Sequence, residues 1–550
     1  MDIQEKIKNQ LKEMREQLGA ETKREEIVLS PSDKREHGDY ASNIAFRKAK
    51  LLHRAPLRLA EKIAAEFKRD GVDHVEAVKP GFLNFFLCQD ELGQVIHRIV
   101  KDPIHYGDLT IGKGKKVDIE YVSANPTGTL HLGHARGAAI GDSLSRIYKK
   151  AGYEVTREYY VNDAGVQRDH LAESIEARYL ELFGIDKPVP EDGYHGQEII
   201  EIAKEIKEKV GDAYVADSKK HLPEFKKFGG EKLLDAIKKD LHDFHVDQDV
   251  YTSEKAIRDR GDVTRVLEKL KPECYEKDGA LWLNTTKDGD DKDRVLVKSD
   301  RSYTYLLPDI AYHNDKFNRG FDILVDLFGA DHYGYVTRLK SSQKDLGHNP
   351  DNLKILLVQM VRLFKDGQEF KRSKRTGNAI SRKELIEEVG VDAARYFFVS
   401  RSVDSHLDFN IDLAKKLGSE NPVYYAQYTH ARLCGILENG KKFFPLNYET
   451  DLLTSESEKN LLIKLKDYSK EIEGALKDND PYRMANYIHS LSQQINEFYT
   501  KCRVLDDNNE QLSRERLGLV EACKDVLASA LDLIGVSAPT HRYSDEKKED

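Results

Sequence analysis

The eleven residues Ala124-Asn-Pro-Thr-Gly-Thr-Leu-His-Leu-Gly-His134 constrain the fold of this chain more than any other stretch. They follow an alternating apolar run, Val117, Ile119 and Tyr121, whose period of two predicts a strand. They precede the small-residue run Ala135 to Ile147, which predicts a helix. His131 and His134 therefore fall where a strand turns into a helix. Main-chain N–H groups and the helix dipole at such a turn make a site for phosphate. Two imidazoles there can donate to phosphate oxygens, and Gly133 lets a flat nucleotide approach the backbone. With 19 His and 36 Gly in 550 residues, chance supplies roughly 0.04 copies of His-x-Gly-His in a chain of this make-up, so the pattern carries information.

A mass of 62.9 kDa is too large for one core, and about two to four domains are expected. No apolar run reaches about 18 residues, so no membrane span is expected. The amphipathic start, Met1-Asp-Ile-Gln-Glu-Lys-Ile-Lys8, is unlike a signal peptide. Five widely spaced cysteines with no Cys-x-x-Cys pair imply a reducing, cytoplasmic setting without disulfides or structural zinc. A net charge of −9 leaves RNA contact to local basic patches. No DNA or membrane partner is expected, and a monomer is.

The predicted fold is a Rossmann-like α/β catalytic domain with helical insertions, flanked by an N-terminal α+β module and a C-terminal all-α bundle. Residues 1–112 form the first module: Ile3, Ile7 and Leu11 repeat at helical spacing, and Val78 to Phe86 reads as a turn and a strand. Ile111 to Lys116 reads as a linker. The catalytic domain spans 113–420, with further buried parallel strands at Ile323 to Phe328 and Leu353 to Val358 and a helical insertion over about 168–280. Gly279 to Asn284 reads as a short strand, and the acidic run Asp288 to Asp293 as a solvated turn in preference to a cation loop. Residues 421–550 carry three apolar helical stripes, led by Leu462, Ile488 and Leu517, and end in a charged tail.

A second motif, Phe370-Lys-Arg-Ser-Lys-Arg-Thr-Gly-Asn378, is a basic loop. Lys371 and Lys374, three apart around Ser373, suit a phosphate clamp, because lysine is a compact charge with three donors. The two motifs together resemble the two signatures of class I aminoacyl-tRNA synthetases. Glu120 to Gly128, Glu158 to Gln167, Tyr305 to Tyr312, Gly329 to Gly334 and Val391 to Phe397 resemble, more narrowly, the bacterial-type arginyl-tRNA synthetase family. Gly38 to Asn43 and Pro80 to Asn84 resemble the N-terminal tRNA-binding module of that family, and Tyr424 to Arg432 the entry to its anticodon-binding bundle. Arg372 stands where the family usually carries Met. Arg301 stands where Gly is common, which predicts a different turn because Arg resists positive φ.

The resemblance implies a ligase that activates L-arginine with Mg-ATP to arginyl-adenylate and transfers it to the 3′ end of tRNA(Arg). His131, His134, Lys371 and Lys374 would stabilise charge moving onto phosphate. ATP would also meet Gly133, Gln359, Met360 and Ser373. Magnesium would enter with ATP, and no resident metal is implied. Arginine's guanidinium would meet Tyr305 and Asp309, which share a face if their segment is helical. Asn125, Glu120 and Ser123 would meet the α-amino or carboxylate end, with Asp163, Gln167, Asp331 and His332 as further pocket residues. Tyr424, Tyr428 and Arg432 would contact RNA. The alternatives are another class I synthetase, a nucleotidyltransferase sharing the first motif, and a tRNA-binding paralogue that does not charge. The zinc cysteines are missing for a cysteine enzyme, a nucleotidyltransferase is usually far shorter, and both signatures are retained.

Overall fold

The computed structural model describes residues 3–17, 27–32, 37–49, 55–125, 130–370 and 381–541. Its central sheet comprises β1 (Lys116–Glu120), β2 (Glu154–Val161), β3 (Val250–Ser253), β4 (Ile323–Gly329) and β5 (Leu353–Val358). All four pairings are parallel, in the spatial order β5-β4-β1-β2-β3. Chain order reverses between β1 and β4. Their carboxyl ends are thus the topological switch point, and it is in a crevice at such a point that open α/β sheets bind ligands.

Two helices flank β1. Val117, Ile119 and Tyr121 are fully buried beneath α1 (Leu132–Lys150). Gly141 of α1 lies over the Tyr121 ring, where a Cβ would come within 2.2 Å, so glycine sets the approach of helix to strand. The opposite face, Asp118 and Glu120, is closed by α2 (Leu306–Asn318). An alternating strand ordinarily has one wet face, but this one is buried on both. Its acidic side is matched by the buried Lys316, 2.5 Å from Glu120 Oε2.

Neither β2 nor β3 is foreseen from the sequence, and β3 interrupts the expected helical insertion. Val250-Tyr-Thr-Ser253 is too short to show a period and exists by pairing with β2. The insertion's helices, Val166–Glu181, Gln197–Val210 and Leu222–His242, share a core that includes Leu171, Tyr179, Ile202 and Phe225. A three-stranded antiparallel sheet follows, containing Ala280–Leu283. The acidic run beside it is an ion-paired turn: Asp288 meets Lys344 at 2.6 Å and Asp290 meets Arg294 at 2.8 Å.

The stretch read as a linker is fixed in place. Gly112 N and Gly114 N donate to Ala151 O and Gly152 O at 2.9 and 3.0 Å. The N-terminal helix Ile3–Gln17 buries Ile3, Ile7 and Leu11 beside a four-stranded antiparallel sheet. Glycine-rich composition therefore marks a tight turn here and not a tether.

The C-terminal bundle holds α3 (Pro422–Asn439) and helices Glu456–Lys466, Tyr468–Asp478, Tyr482–Lys501 and Glu510–Leu533. Leu462, Ile488, Leu517 and their stripe partners are buried. The buried Arg395 joins the bundle to the catalytic domain, donating to Ile534 O at 2.9 Å and Asp142 Oδ2 at 2.7 Å. Residues 542–550, with the charged tail, lie outside the described residues. Among the described residues no helix is long and apolar enough to cross a membrane.

Candidate active site at the sheet switch point

His131 is the N-cap of α1. Its Nδ1 accepts from Gly133 N at 3.1 Å and His134 N at 3.4 Å. This corrects the expectation that the first-turn N–H groups are free for phosphate, because two of them are committed to the imidazole. It also fixes the tautomer: with Nδ1 accepting, the proton sits on Nε2, which is then a donor. The His134 ring stacks on that of His131 with centroids 3.6 Å apart. Burial, then the neighbouring His131, brings the His134 pKa down to about 4; burial also lowers that of His131. Both rings are neutral donors at pH 7.

Two residues beyond His134, the buried Arg136 donates to the main-chain oxygens of Gln359, Ser405 and Ser402 at 2.9, 2.8 and 2.9 Å. It holds the chain at Gln359 and Met360 against α1, with Met360 exposed. Lys371, Arg372, Ser373 and Lys374 lie outside the described residues.

The loop after β1 holds left-handed backbone at Val122 (φ 71°) and Ser123 (φ 40°). Such conformations cost about 1–3 kcal/mol each and collect at functional sites. Ser123 Oγ donates to Glu120 Oε1 at 2.9 Å and accepts from Tyr160 N at 3.0 Å. Asn125 Nδ2 donates to Gln167 Oε1 at 3.0 Å, which brings these two expected residues together. Asp163 is engaged elsewhere. It accepts from Ser253 Oγ at 2.5 Å and Lys255 N at 2.7 Å, anchoring the end of β3. Asp331 and His332 follow β4 directly and are exposed on the rim.

On the other flank of β1, Tyr305 is the N-cap of α2 and Asp309 lies in its first turn. Tyr305 is 81% exposed, whereas Asp309 is half-buried and accepts from the Tyr335 hydroxyl at 2.7 Å. No described Lys or Arg pairs with its carboxylate. Burial pushes the Asp309 pKa up to about 6, only partly opposed by Tyr335 and His313. Arg301, where a different turn was predicted, takes φ 69° after all. Asp300 Oδ1 pays for this strain by accepting from Ser302 N and Oγ at 2.9 and 2.6 Å.

Sequence reasoning missed Tyr335, Glu254 and Arg136. Tyr335 follows Gly334 of a quoted motif directly, and Arg136 sits one turn into α1, so both lay within reach of the motifs. Glu254, bonded to Arg258 at 2.6 Å, faces Tyr160 and acts on Asp309; it follows a strand that the sequence did not reveal.

On α3, Tyr424 and Tyr428 stack with centroids 5.9 Å apart, and the Arg432 guanidinium lies 5.1 Å from the Tyr428 ring. Arg432 also lies over Tyr499 and donates to Asn496 at 2.9 Å. His430, on the same helix, is buried against Pro539 O.

Three family models match the chain: "Arginyl tRNA synthetase N terminal domain" over residues 1–87, "tRNA synthetases class I (R), catalytic domain" over 96–433, and "DALR anticodon binding domain" over 426–541. Relatives named arginine–tRNA ligase include one from Shouchella clausii, 48% identical over 95% of this chain and 96% of its own length. Another, from Bacillus subtilis, is 45% identical over 98% of this chain and 100% of its own length. The Thermus thermophilus arginyl-tRNA synthetase structure, 21% identical, shares the fold with a TM-score of 0.77 over 98% of this chain and 100% of its own. Matches of this extent over all three domains remove the nucleotidyltransferase and the other class I synthetases from consideration. The chain belongs to the arginyl-tRNA synthetase family.

Proposed function

We propose that the switch-point crevice joins L-arginine to ATP as arginyl-adenylate and passes the arginyl group to the 3′-terminal ribose of tRNA(Arg). The activity is arginine–tRNA ligation, with ATP entering as its Mg²⁺ complex, the ion held largely by phosphates and water. The observation that carries this reading is the pairing of opposites across one crevice. Neutral imidazole donors open α1 on one flank of β1, and a carboxylate that no described Lys or Arg pairs with opens α2 on the other.

In the first step an arginine carboxylate oxygen attacks the α-phosphorus and pyrophosphate leaves. In the second, the ribose hydroxyl attacks the acyl carbon, AMP leaves, and the hydroxyl proton goes to solvent. Neither step needs an enzyme nucleophile, so catalysis rests on positioning and on stabilising phosphate charge. His131 Nε2–H and His134 meet the phosphates, with Gly133 beside the nucleoside. Gln359 and Met360, held by Arg136, flank the adenine, and Lys371, Ser373 and Lys374 donate to the phosphates. Asp309, Tyr305 and Tyr335 receive the guanidinium. Glu120, with Asn125 and Gln167, receives the α-amino end, and Asp331 and His332 line the rim. The half-buried stripe of Tyr424, Tyr428 and Arg432 stacks on exposed bases.

The test is charging of total tRNA with each of the twenty amino acids. Arginine alone should be accepted. Lys374→Ala should lower its kcat about 10²–10³-fold, as for removal of one preorganised donor, with an unchanged melting temperature. Charging with a different amino acid, or an unimpaired variant, would refute the assignment.

A further inference from the structure

Behind the amino-acid pocket, four carboxylates share one buried face of the sheet. Register sets Asp326 beside Glu120 and Glu120 beside Glu158, and Asp118 precedes Glu120 by two residues. The face is closed by α2, on which Asp309, His313 and Lys316 follow at i, i+4 and i+7 along one stripe. Lys316 Nζ lies 2.5 Å from Glu120, 2.8 Å from Asp326 and 3.5 Å from Asp118. His313 Nδ1 meets the main-chain oxygen of Asp309 at 2.7 Å, and its Nε2 meets Asp326. Both nitrogens face acceptors, so the ring is an imidazolium. Arg319, just past α2, takes Glu158 at 2.8 and 2.9 Å. Glu120, His313 and Asp326 converge closely enough to surround a cation, and the cation among them is the Lys316 ammonium.

We propose that Lys316 is a positioning residue for arginine, whose ammonium holds the Glu120 carboxylate in place at the α-amino end of the substrate. This rests on the place given to Glu120 above. Lys316 takes one Glu120 oxygen and Ser123 the other, so the carboxylate is oriented while keeping lone pairs for the crevice. The stripe on α2 makes the arrangement two-ended: through His313 the same cluster reaches Asp309, which receives the guanidinium.

Burial already lifts the Asp118 pKa well above the ordinary carboxylate range, and removing the ammonium leaves Asp118, Glu120 and Asp326 without the cation that opposes further protonation. The other charged groups cannot replace it. His313 is committed to Asp326, Arg319 to Glu158 and Asp315, and Tyr160, Tyr312 and Asp309 bring no positive charge. The carboxylate set therefore takes up a proton, and arginine has to expel it in order to bind.

Lys316→Gln keeps a donor near both carboxylates without the charge. With the full-length protein at saturating tRNA, its arginine KM at about pH 7 should rise about tenfold or more, with the ATP KM within about twofold of wild type. The defect should shrink toward about pH 8.5, where the extra proton is lost and the wild type shows no such trend. Adding Asp326→Asn removes one competing carboxylate and should return the arginine KM to within about threefold of wild type. A defect equal at every pH, shared by ATP, or unrelieved by the second substitution would assign Lys316 to the fold alone and overturn the proposal. If Lys316→Gln does not fold, the double variant decides, since a folded double variant with a strongly raised arginine KM contradicts the proposal. Glu120→Gln separates the two layers. If it raises the arginine KM and Lys316→Gln does not, the placement of Glu120 stands and the role of Lys316 falls. If it changes nothing, both fall.

Discussion

Asp309→Ala is expected to raise the KM for arginine by about two to three orders of magnitude while leaving that for ATP nearly unchanged. A guanidinium is always charged and offers five donors in a plane. Deleting one partner of a buried, hydrogen-bonded charge pair costs about 2–5 kcal/mol, mostly because the remaining charge is stranded. The empty protein already bears part of this strain. The Asp309 carboxyl titrates near 6 in the fold, against an ordinary value of 3.8. Between those values the folded chain binds the extra proton. The stabilising effect of that proton is complete below 3.8 and is lost as pH rises through about 6. Ionised Asp309 is thus a liability to the empty fold at neutral pH. Asp309→Asn should melt higher than wild type at pH 7 in calorimetry, even as it loses arginine affinity. The wild-type arginine KM should climb as pH falls below about 6, because the protonated acid cannot pair with guanidinium. Unchanged arginine kinetics in Asp309→Ala would show that the pocket lies elsewhere.

His131→Ala should lose two things at once, and His131→Asn only one. The imidazole caps α1 through Nδ1 and presents Nε2–H to the crevice. Loss of a cap costs about 0.5–2 kcal/mol of stability, and loss of one preorganised phosphate donor about 10²–10³ in kcat. Asparagine caps helices well but is too short to reach a phosphate as the imidazole edge does. His131→Asn should therefore melt near wild type while charging as slowly as His131→Ala; a variant that regains rate along with stability would make His131 a cap and nothing more. Acid should mimic the alanine variant. Both imidazoles titrate below the ordinary 6.5, His134 near 4. Their neutral-state stabilisation is whole above 6.5 and drains away as pH falls toward about 4.

The sequence disclosed most where chemistry and period coincide. The strand at β1, the turn at His131 and the helix after it were legible because apolar alternation, two imidazoles and a small-residue run meet there. The three bundle stripes were legible because burial in helices repeats at helical spacing. β2 was hidden by its charges. Arg157 and Glu158 interrupt the apolar pattern and are tolerated only because Asp249 and Arg319 reach them from distant segments. β3 was hidden by brevity. At the site, Asp309 could be picked out through a motif and Tyr335 adjoins another, but their bond could not be foreseen, since the helix that brings the phenol within 2.7 Å packs by tertiary contact. The use of His131 as a cap was likewise invisible, because histidine is not a residue from which caps are ordinarily inferred. Lys316 shows the same limit most clearly. In the sequence it is one lysine among many, and only the cross-strand row of acids gives it a task.

The central claim is that one crevice holds nucleotide at the His131 pair and guanidinium at Asp309, on opposite flanks of β1. A crystal structure with a non-hydrolysable arginyl-adenylate analogue tests it most directly. The account requires the analogue's phosphate within hydrogen-bond reach of His131 Nε2 and its guanidinium on the Asp309 carboxylate. An analogue seated with either end away from these groups would contradict it.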